Sequence, residues 1–143
     1  MTVIKVNKKG MDLLARLMRA EAVEDGSLAE LMVGNVGVNR VRVSCLDFKN
    51  INSISDMVFQ DPGGFTSIHH SFFYRKARTH ELKLARKVVN GKKYWPASHA
   101  LWFFEPSGGC PSQWYGEPFV SRYKSFCYYK PNYSECPTVF NAF

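Results

Sequence analysis

One carboxylate, Glu21, lies where an amphipathic helix is expected to be apolar. Leu14, Leu17 and Met18 follow the i, i+3, i+4 spacing that lines one face of a helix, and Glu21 continues that line one turn later. An acid kept protonated by apolar surroundings can protonate a leaving-group oxygen, as cleavage of a glycosidic bond requires. The alternative is a core glutamate that pairs with a basic side chain or a backbone amide. The pattern leaves both interpretations open.

Glycosidic cleavage by water usually employs a second carboxylate as nucleophile or base. Glu24 and Asp25 follow the helix in a turn and are candidates, whereas Glu30 is more simply explained as the capping-box partner of Ser27. If no second acid takes part, the C6 hydroxyl of a muramic acid sugar can attack its own C1. Glu21 would then act first as acid and then as base, and the product would carry a 1,6-anhydro end.

Two helices are predicted to position these groups. The first covers residues 13–22 and carries Arg16 and Arg19 on roughly the side opposite Glu21, about 140–160° away at about 100° per residue. The second begins at Ser27 and runs through "LAELMVGNVGVNR", which brings Asn35 and Asn39 to its inner face. We therefore take Asn39 as a candidate substrate contact.

The rest of the chain predicts two more helices and a small strand layer. "SISDMVFQ" forms a short helix capped by Ser53, and Thr79 caps a longer helix that Gly91 ends, with a "DPGG" turn between the two. Beyond Gly91 the sequence is rich in aromatic residues, Pro and Gly, with extended segments at "ALWFF" and "FCYY". We predict one domain over residues 1–143, of α+β class and mainly helical, with an irregular aromatic-rich C-terminal part.

Large rings in this C-terminal part could serve as platforms for sugars. Trp114 and Tyr115 stand between Pro and Gly turns and are candidates for a cleft, whereas Trp102, within "ALWFF", is expected in the core.

The composition favours a polyanionic partner. The formal net charge is +7 at pH 7, which suits nucleic acid, acidic lipid or a carboxylate-rich cell-wall polymer. No recognisable nucleic-acid-binding motif occurs, and no apolar run is long enough to cross a membrane, so we expect neither as a partner. The N-terminal residues show no secretory signal pattern, which predicts a protein made in the cytosol without export by the general route. Two non-enzymatic classes stay open: a nucleic-acid-binding protein, and a coat protein without catalysis.

The cysteines and histidines give no metal-binding spacing. Cys45, Cys110, Cys127 and Cys136 contain no C-x-x-C pair, so we expect no zinc site and reduced thiols, with a disulfide as the alternative. His69, His70, His80 and His99 likewise lack the spacing of a zinc amidase. We predict no metal and no cofactor.

Several segments in order resemble the SleB/CwlJ family of cell wall hydrolases from spore-forming bacteria. They are "ARLMRAEA", "LMVGNVGVNRV", "DPGGFTSI", "ALWFFEP" and "PSQWY", between about Leu13 and Tyr129. The resemblance implies a lysozyme-like catalytic domain that acts on spore cortex peptidoglycan during germination, with transglycosylase-like cleavage and Glu21 as the acid. It also implies Phe65 and Thr66 as contacts in the substrate cleft. Amidase or muramidase-type hydrolysis of the same cortex is the alternative.

The resemblance implies further properties, and the sequence departs from the family pattern at one place. It implies residence in the spore coat near the cortex, a coat partner of the GerQ type, and a response to calcium dipicolinate. Family members often have a second glutamate in "GEA-x-G-E", where this chain has "AEAVEDG". The shifted register leaves a role for Glu24 or Asp25 open.

Overall fold

The architecture comes from a computed structural model that describes residues 1–61 and 64–141, with side chains through residue 140. It is an α+β arrangement in which helices form most of the core and one antiparallel sheet covers one end, as predicted. Pro62 and Gly63 of the predicted "DPGG" turn lie outside the described residues. The elements are α1 (Lys8–Ala22), α2 (Ser27–Val43), α3 (Ile54–Val58), α4 (Thr79–Val89), α5 (Thr138–Asn141), β1 (Trp102–Phe104), β2 (Gln113–Trp114), β3 (Glu117–Tyr123) and β4 (Phe126–Tyr129).

The core centres on α2, which packs against α1, α3 and α4. Two glycines of α2 permit this close packing. A Cβ atom at Gly34 would lie 2.9 Å from Met18 and from Val88, and one at Gly37 would lie 2.9 Å from Met57. A Cβ atom at such a distance would force Val88 or the flexible ends of Met18 and Met57 to move, so glycine at both positions allows the observed packing without that adjustment.

The face of α1 opposite its apolar stripe is also covered. Arg19 is buried, and its guanidinium donates to Glu81 at 2.9 Å and to the backbone carbonyl of Lys76 at 3.0 Å. Arg16 donates through Nε to the carbonyl of Phe73 at 2.8 Å. Residues 71–81 therefore cover this face, so α1 is packed on two sides. Its last turn carries Glu21.

Helix caps differ from two of the predictions. Gly26, with φ of +93°, is the N-cap of α2, and the hydroxyl of Ser27 hydrogen-bonds instead to His80 Nε2 at 3.3 Å. The N-cap of α4 is Arg78 rather than Thr79, and its backbone N–H donates to the Glu81 carboxylate at 2.8 Å. In both cases the cap lies one residue before the predicted one, although α2 still begins at Ser27 as predicted.

The sheet has the strand order β1-β4-β3-β2, with all neighbours antiparallel. The predicted extended segments correspond to β1 and β4, and β4 is entirely buried. Strands β2 and β3 were not predicted. The 3₁₀ helix Val23–Asp25, which follows α1, meets the turn between β3 and β4, where Lys124 Nζ donates to the carbonyl of Asp25 at 2.9 Å.

All four cysteines are paired, so the expectation of reduced thiols is wrong. Cys45 bonds to Cys136 and Cys110 bonds to Cys127, each with 5.8 Å between the Cα atoms. The first bond joins the end of α2 to the C-terminal segment, 91 residues apart, and the second ties the loop after β1 to β4. Sequence spacing alone could not reveal these pairs, because it does not show which of the four cysteines meet in the fold.

Among the described helices, none has the length and apolar character needed to cross a membrane.

Candidate active site

Glu21 lies in the last turn of α1 and keeps part of its surface exposed, while the residues one turn before it, Leu17 and Met18, are fully buried. Burial of the carboxyl raises its pKa above the usual value for glutamate. The Ser67 hydroxyl and backbone N–H, with the positive charges of Arg40 and His70, act in the opposite direction. The net shift is upward, so Glu21 holds its proton at a higher pH than a solvated glutamate does.

Ser67 is the residue that brings polar atoms to this carboxyl. It belongs to the 3₁₀ helix Thr66–His69, which packs against α1, and only 6% of its surface is exposed. The flanking residues Phe65 and Thr66, predicted as cleft contacts, differ in environment. Phe65 is buried with its ring 6.0 Å from that of Phe103, and Thr66 is exposed.

Arg40 of α2 is a buried cation beside the site. Its Nε donates to the carbonyl of Leu101 at 2.8 Å, and its guanidinium lies over the rings of Phe48 and Phe65, 4.8 and 4.7 Å from their centroids. Burial lowers its pKa to about 10, and the negative charge of Glu21 opposes that change. Arg40 is therefore still charged at neutral pH and stabilises negative charge on Glu21.

Asn39 does not have the predicted role of a substrate contact. The residue is 2% exposed, and its amide nitrogen donates to the carbonyls of Ala97, Ser98 and Ala100 at 3.3, 3.2 and 2.9 Å. The hydrogens of its side-chain amide therefore bond to backbone carbonyls. Asn39 fixes the segment that leads into β1 and so positions the carbonyl that holds Arg40.

The carboxylates considered as a second catalytic group have different surroundings from Glu21. Glu24 is exposed, and the Asp25 carboxylate accepts a hydrogen bond from the hydroxyl of Ser125. Glu30 is buried against α4, where the charge of Glu81 adds to the effect of burial and raises its pKa. The principal influences on Glu21 come from Ser67, Arg40 and His70, none of which is an acid.

Two grooves meet along the segment around residue 60, and the first also includes residues of the sheet. One has a volume of about 300 Å³, the other about 420 Å³, and Gln60 and Gly64 line both. The first includes Arg40 and the second includes Thr66, so each contacts a residue adjacent to the Glu21 carboxyl or to Ser67. Glu21 itself is not among their lining residues in the described chain. The first groove is lined by Arg40, Asp47, Phe48, Gln60, Gly64, Trp102, Phe103, Trp114 and Tyr115; the second by Phe59, Gln60, Asp61, Gly64, Phe65, Thr66, Ile68 and His69.

Trp114 and Tyr115 form an aromatic rim on the first groove, in agreement with their predicted place in a cleft. The Trp114 ring stacks on Phe104 with centroids 4.1 Å apart, and Tyr115 is 89% exposed with a positive φ of +49°. A non-glycine residue in this left-handed region is uncommon and costs energy, so the turn holds the ring outward against a backbone preference. Trp102, expected in the core, is half-buried and lines the same groove.

The histidines do not come together. His80 bonds to Ser27, His99 packs against Phe140 at 5.4 Å between ring centroids, and His69 and His70 are exposed. Within residues 1–61 and 64–140, no group of three or more His, Cys, Asp or Glu side chains is arranged to hold a metal ion.

Sequence reasoning missed Arg40 and Ser67 as parts of the site. The signal for Arg40 was weak, because Arg42 stands in the same stretch of α2 and is only partly buried. Ser67 carried no comparable signal. It stands inside the quoted "GGFTSI" segment, but nothing in its spacing relates it to Glu21, 46 positions earlier.

Comparison with known proteins identifies relatives along the whole chain. A family described as "Cell Wall Hydrolase" matches residues 24–129, a range that starts just after Glu21. Three proteins named cell wall hydrolase CwlJ are similar over nearly their full length. The protein from Oceanobacillus iheyensis is 55% identical over 98% of this chain and 99% of its own, and those from Halalkalibacterium halodurans and Bacillus subtilis are 52% and 47% identical over all of both chains.

Two solved structures have the same fold. The catalytic domain of Bacillus cereus SleB superposes with a TM-score of 0.71 at 21% identity, covering 88% of this chain and 93% of that one. The catalytic domain of SleB from Bacillus anthracis, described as a germination-specific lytic transglycosylase, gives 0.68 at 20% identity over 87% and 97%. The family match and the full-length relatives together establish that this chain belongs to the cell wall hydrolase family.

Proposed function

We propose that this chain cleaves the glycan strands of spore cortex peptidoglycan next to N-acetylmuramic acid during germination, with Glu21 as acid and base. The observation that carries the proposal is the partly buried Glu21 carboxyl, whose pKa burial raises above its usual range. A protonated carboxyl beside a groove is what departure of a glycosidic oxygen requires. The names of the full-length relatives, and the description of the B. anthracis SleB domain as a lytic transglycosylase, support the same activity.

The environment of Glu21 favours lytic transglycosylation over hydrolysis. The side chains that act on it are those of Arg40, His70 and Ser67, none of which is an acid. In the proposed reaction Glu21 gives its proton to the leaving O4 as the C1–O4 bond breaks. The C6 hydroxyl of the muramic acid residue then forms the C1–O6 bond and returns its proton to Glu21. No water is consumed, and the new end is a 1,6-anhydro sugar.

The grooves supply a path for the glycan. Trp114 and Tyr115 present rings that suit the apolar faces of sugars, and Thr66 offers a hydroxyl at the second groove. The net charge of +7 favours approach to a carboxylate-bearing polymer. We assign the aromatic rim to sugar stacking and Phe65 to the wall that separates the rim from Glu21.

Mass spectrometry of the products tests the reaction type. The purified chain is incubated with cortex fragments, and the released muropeptides are compared with those of a muramidase digest. Anhydro-muramic ends, about 18 Da below the hydrolysed product because one water is not added, are the expected result. Reducing muramic acid ends would replace the proposal with muramidase hydrolysis, and free stem peptides would replace it with an amidase.

The proposal extends to the cellular setting. We propose further that the chain resides in the spore coat near the cortex, with a coat partner of the GerQ type and a response to calcium dipicolinate, as the resemblance to the SleB/CwlJ family implies. Fractionation of spores with an antibody to this chain, in the presence and absence of that partner, tests the location. Detection only in the spore core would contradict it.

A further inference from the structure

We infer that Ser67 is a positioning residue whose hydroxyl and backbone N–H hold the Glu21 carboxylate formed after proton transfer, so that the same side chain can then act as base. The inference rests on the proposed function and adds a residue to it. Three features of the structure support it. Ser67 is buried, its hydroxyl has no hydrogen-bond partner among the described residues, and its 3₁₀ helix packs against α1.

Ser67 is buried in an unusual way for a serine on a short surface helix. Only 6% of the residue is exposed, whereas its neighbour Thr66 and the following His69 are exposed. Within the described chain its Oγ forms no hydrogen bond of regular length and angle. A buried hydroxyl without a regular bond costs about 1–3 kcal/mol, so a functional reason for it is expected.

The 3₁₀ helix that carries Ser67 packs against α1, and Ser67 is the neutral residue that acts on the Glu21 carboxyl. The hydroxyl and the backbone N–H both act on the Glu21 carboxyl, and both favour its ionised form. The buried hydroxyl has no other hydrogen-bond partner among the described residues, so it is available to this carboxyl. Loss of the proton makes the carboxyl a stronger, charge-assisted acceptor, and two donors are then already in place.

The other titratable groups near Glu21 do not supply this function. From α2, Arg40 contributes charge, but its Nε is bonded to Leu101. His70, after the 3₁₀ helix, is exposed and acts only through its charge, and His69 is exposed as well. From the 3₁₀ helix that follows α1, Glu24 is exposed and Asp25 is bonded to Ser125. Ser67 is thus the neutral donor that can hydrogen-bond to Glu21 whether Glu21 is protonated or ionised.

The test compares Ser67→Ala with the wild type on soluble glycan strands, measuring kcat, KM and their pH dependence. Removing a charge-assisted donor predicts a fall in kcat of about 10- to 100-fold with KM nearly unchanged. Because the Ser67 hydroxyl lowers the pKa of Glu21, its loss also moves the alkaline limb of the pH profile to higher pH. Ser71→Ala, an exposed serine four positions later, is the matched control and is expected to behave as wild type.

A second pair of variants keeps the test valid if Ser67→Ala does not fold. Ser67→Thr and Ser67→Val have nearly the same shape, but only Thr keeps the hydroxyl. Activity retained by Thr and lost by Val supports the inference; equal loss in both, or wild-type kcat and pH profile in Ser67→Ala, overturns it. Absence of anhydro ends from the wild-type products would instead remove the proposed function, whatever Ser67 does.

Discussion

At the scale of single residues, the protonation of Glu21 controls the chemistry. Burial raises its pKa, and Ser67, Arg40 and His70 limit that rise. The proposed reaction needs both the effect that raises the Glu21 pKa and those that lower it, because Glu21 must hold a proton before bond cleavage and release it during cleavage. A carboxyl that was only desolvated would be a poor proton donor, and one that was only paired with a cation would have no proton to give.

The pH dependence of activity follows from the direction of this shift. Because Glu21 must start protonated, activity is full below its pKa and is lost as the pH rises through it. The raised pKa therefore places the alkaline limb of kcat/KM above the value for an ordinary glutamate, about 4.3. A rate profile on soluble glycan strands measures this limb. An alkaline limb at or below the ordinary value would contradict the burial that we describe.

At the scale of elements, the buried pair of Arg19 and Glu81 fastens α1 to α4. Burial raises the Glu81 pKa, but hydrogen bonds from Arg78 and the charges of both arginines outweigh it, so the net pKa is lowered. The stabilising effect is therefore present above the unfolded pKa of about 4.3 and is lost as the pH falls through the folded value.

Arg19→Met is expected to destabilise the fold by about 3–5 kcal/mol, because it leaves the buried Glu81 without one of its charge partners. The free energy of unfolding from urea titration at pH 7 measures the loss. Arg86→Met, on the exposed side of α4, is the control and should change stability by less than about 0.5 kcal/mol. Equal effects of the two substitutions would show that the Arg19 pair does not hold the helices together.

The end of β2 and the turn at residues 115–116 present the aromatic rim to the groove. Since Tyr115 is almost fully exposed, Tyr115→Ala should leave stability nearly unchanged. Stacking of a nucleic-acid base on an aromatic side chain is worth about 1–3 kcal/mol, and a sugar stacked on Tyr115 at the low end of that range predicts a rise in KM of about 5- to 10-fold with kcat retained. Tyr133→Ala, another exposed tyrosine, serves as control. An unchanged KM in Tyr115→Ala would remove the rim from the substrate path.

The elements show where prediction from sequence succeeds. Leu14, Leu17 and Met18 form the buried face of α1 because a period of 3.6 fixes which residues share a side. That rule places Glu21 correctly but says nothing of Ser67 or Arg40, which reach it from other segments. Asn39 was predicted to face a ligand because polarity on an inner face was the only available signal. Its partners are backbone carbonyls 58–61 positions away, which periodicity cannot specify.

At the scale of the whole molecule, the disulfide Cys45–Cys136 joins the C-terminal segment to the helical core, and Cys110–Cys127 closes a loop within the C-terminal half. The expectation of reduced thiols came from the inferred compartment, and pairing depends on distances that only the folded chain defines. Family resemblance, by contrast, reached the correct family because it uses many short segments in a fixed order rather than any one contact.

Loss of either disulfide should lower stability, and to different extents. Loop-closure entropy assigns about 4.5 kcal/mol to the 91-residue separation of Cys45 and Cys136, and about 3 kcal/mol to the 17-residue separation of Cys110 and Cys127. Thermal unfolding of the two double Cys→Ala variants measures the order. Reactive thiols in the unfolded, unreduced protein would contradict the pairing itself.

Glu21→Gln, with Glu24→Gln as its matched control, gives the most direct test of the catalytic role of Glu21. Both substitutions keep side-chain size, but only the first removes the proposed proton donor. Product mass spectrometry after incubation with cortex fragments should show anhydro-muramic ends from the wild type and Glu24→Gln, and a loss of about 10²–10⁴-fold in Glu21→Gln with folding intact. Undiminished release of glycan ends by Glu21→Gln would contradict that role.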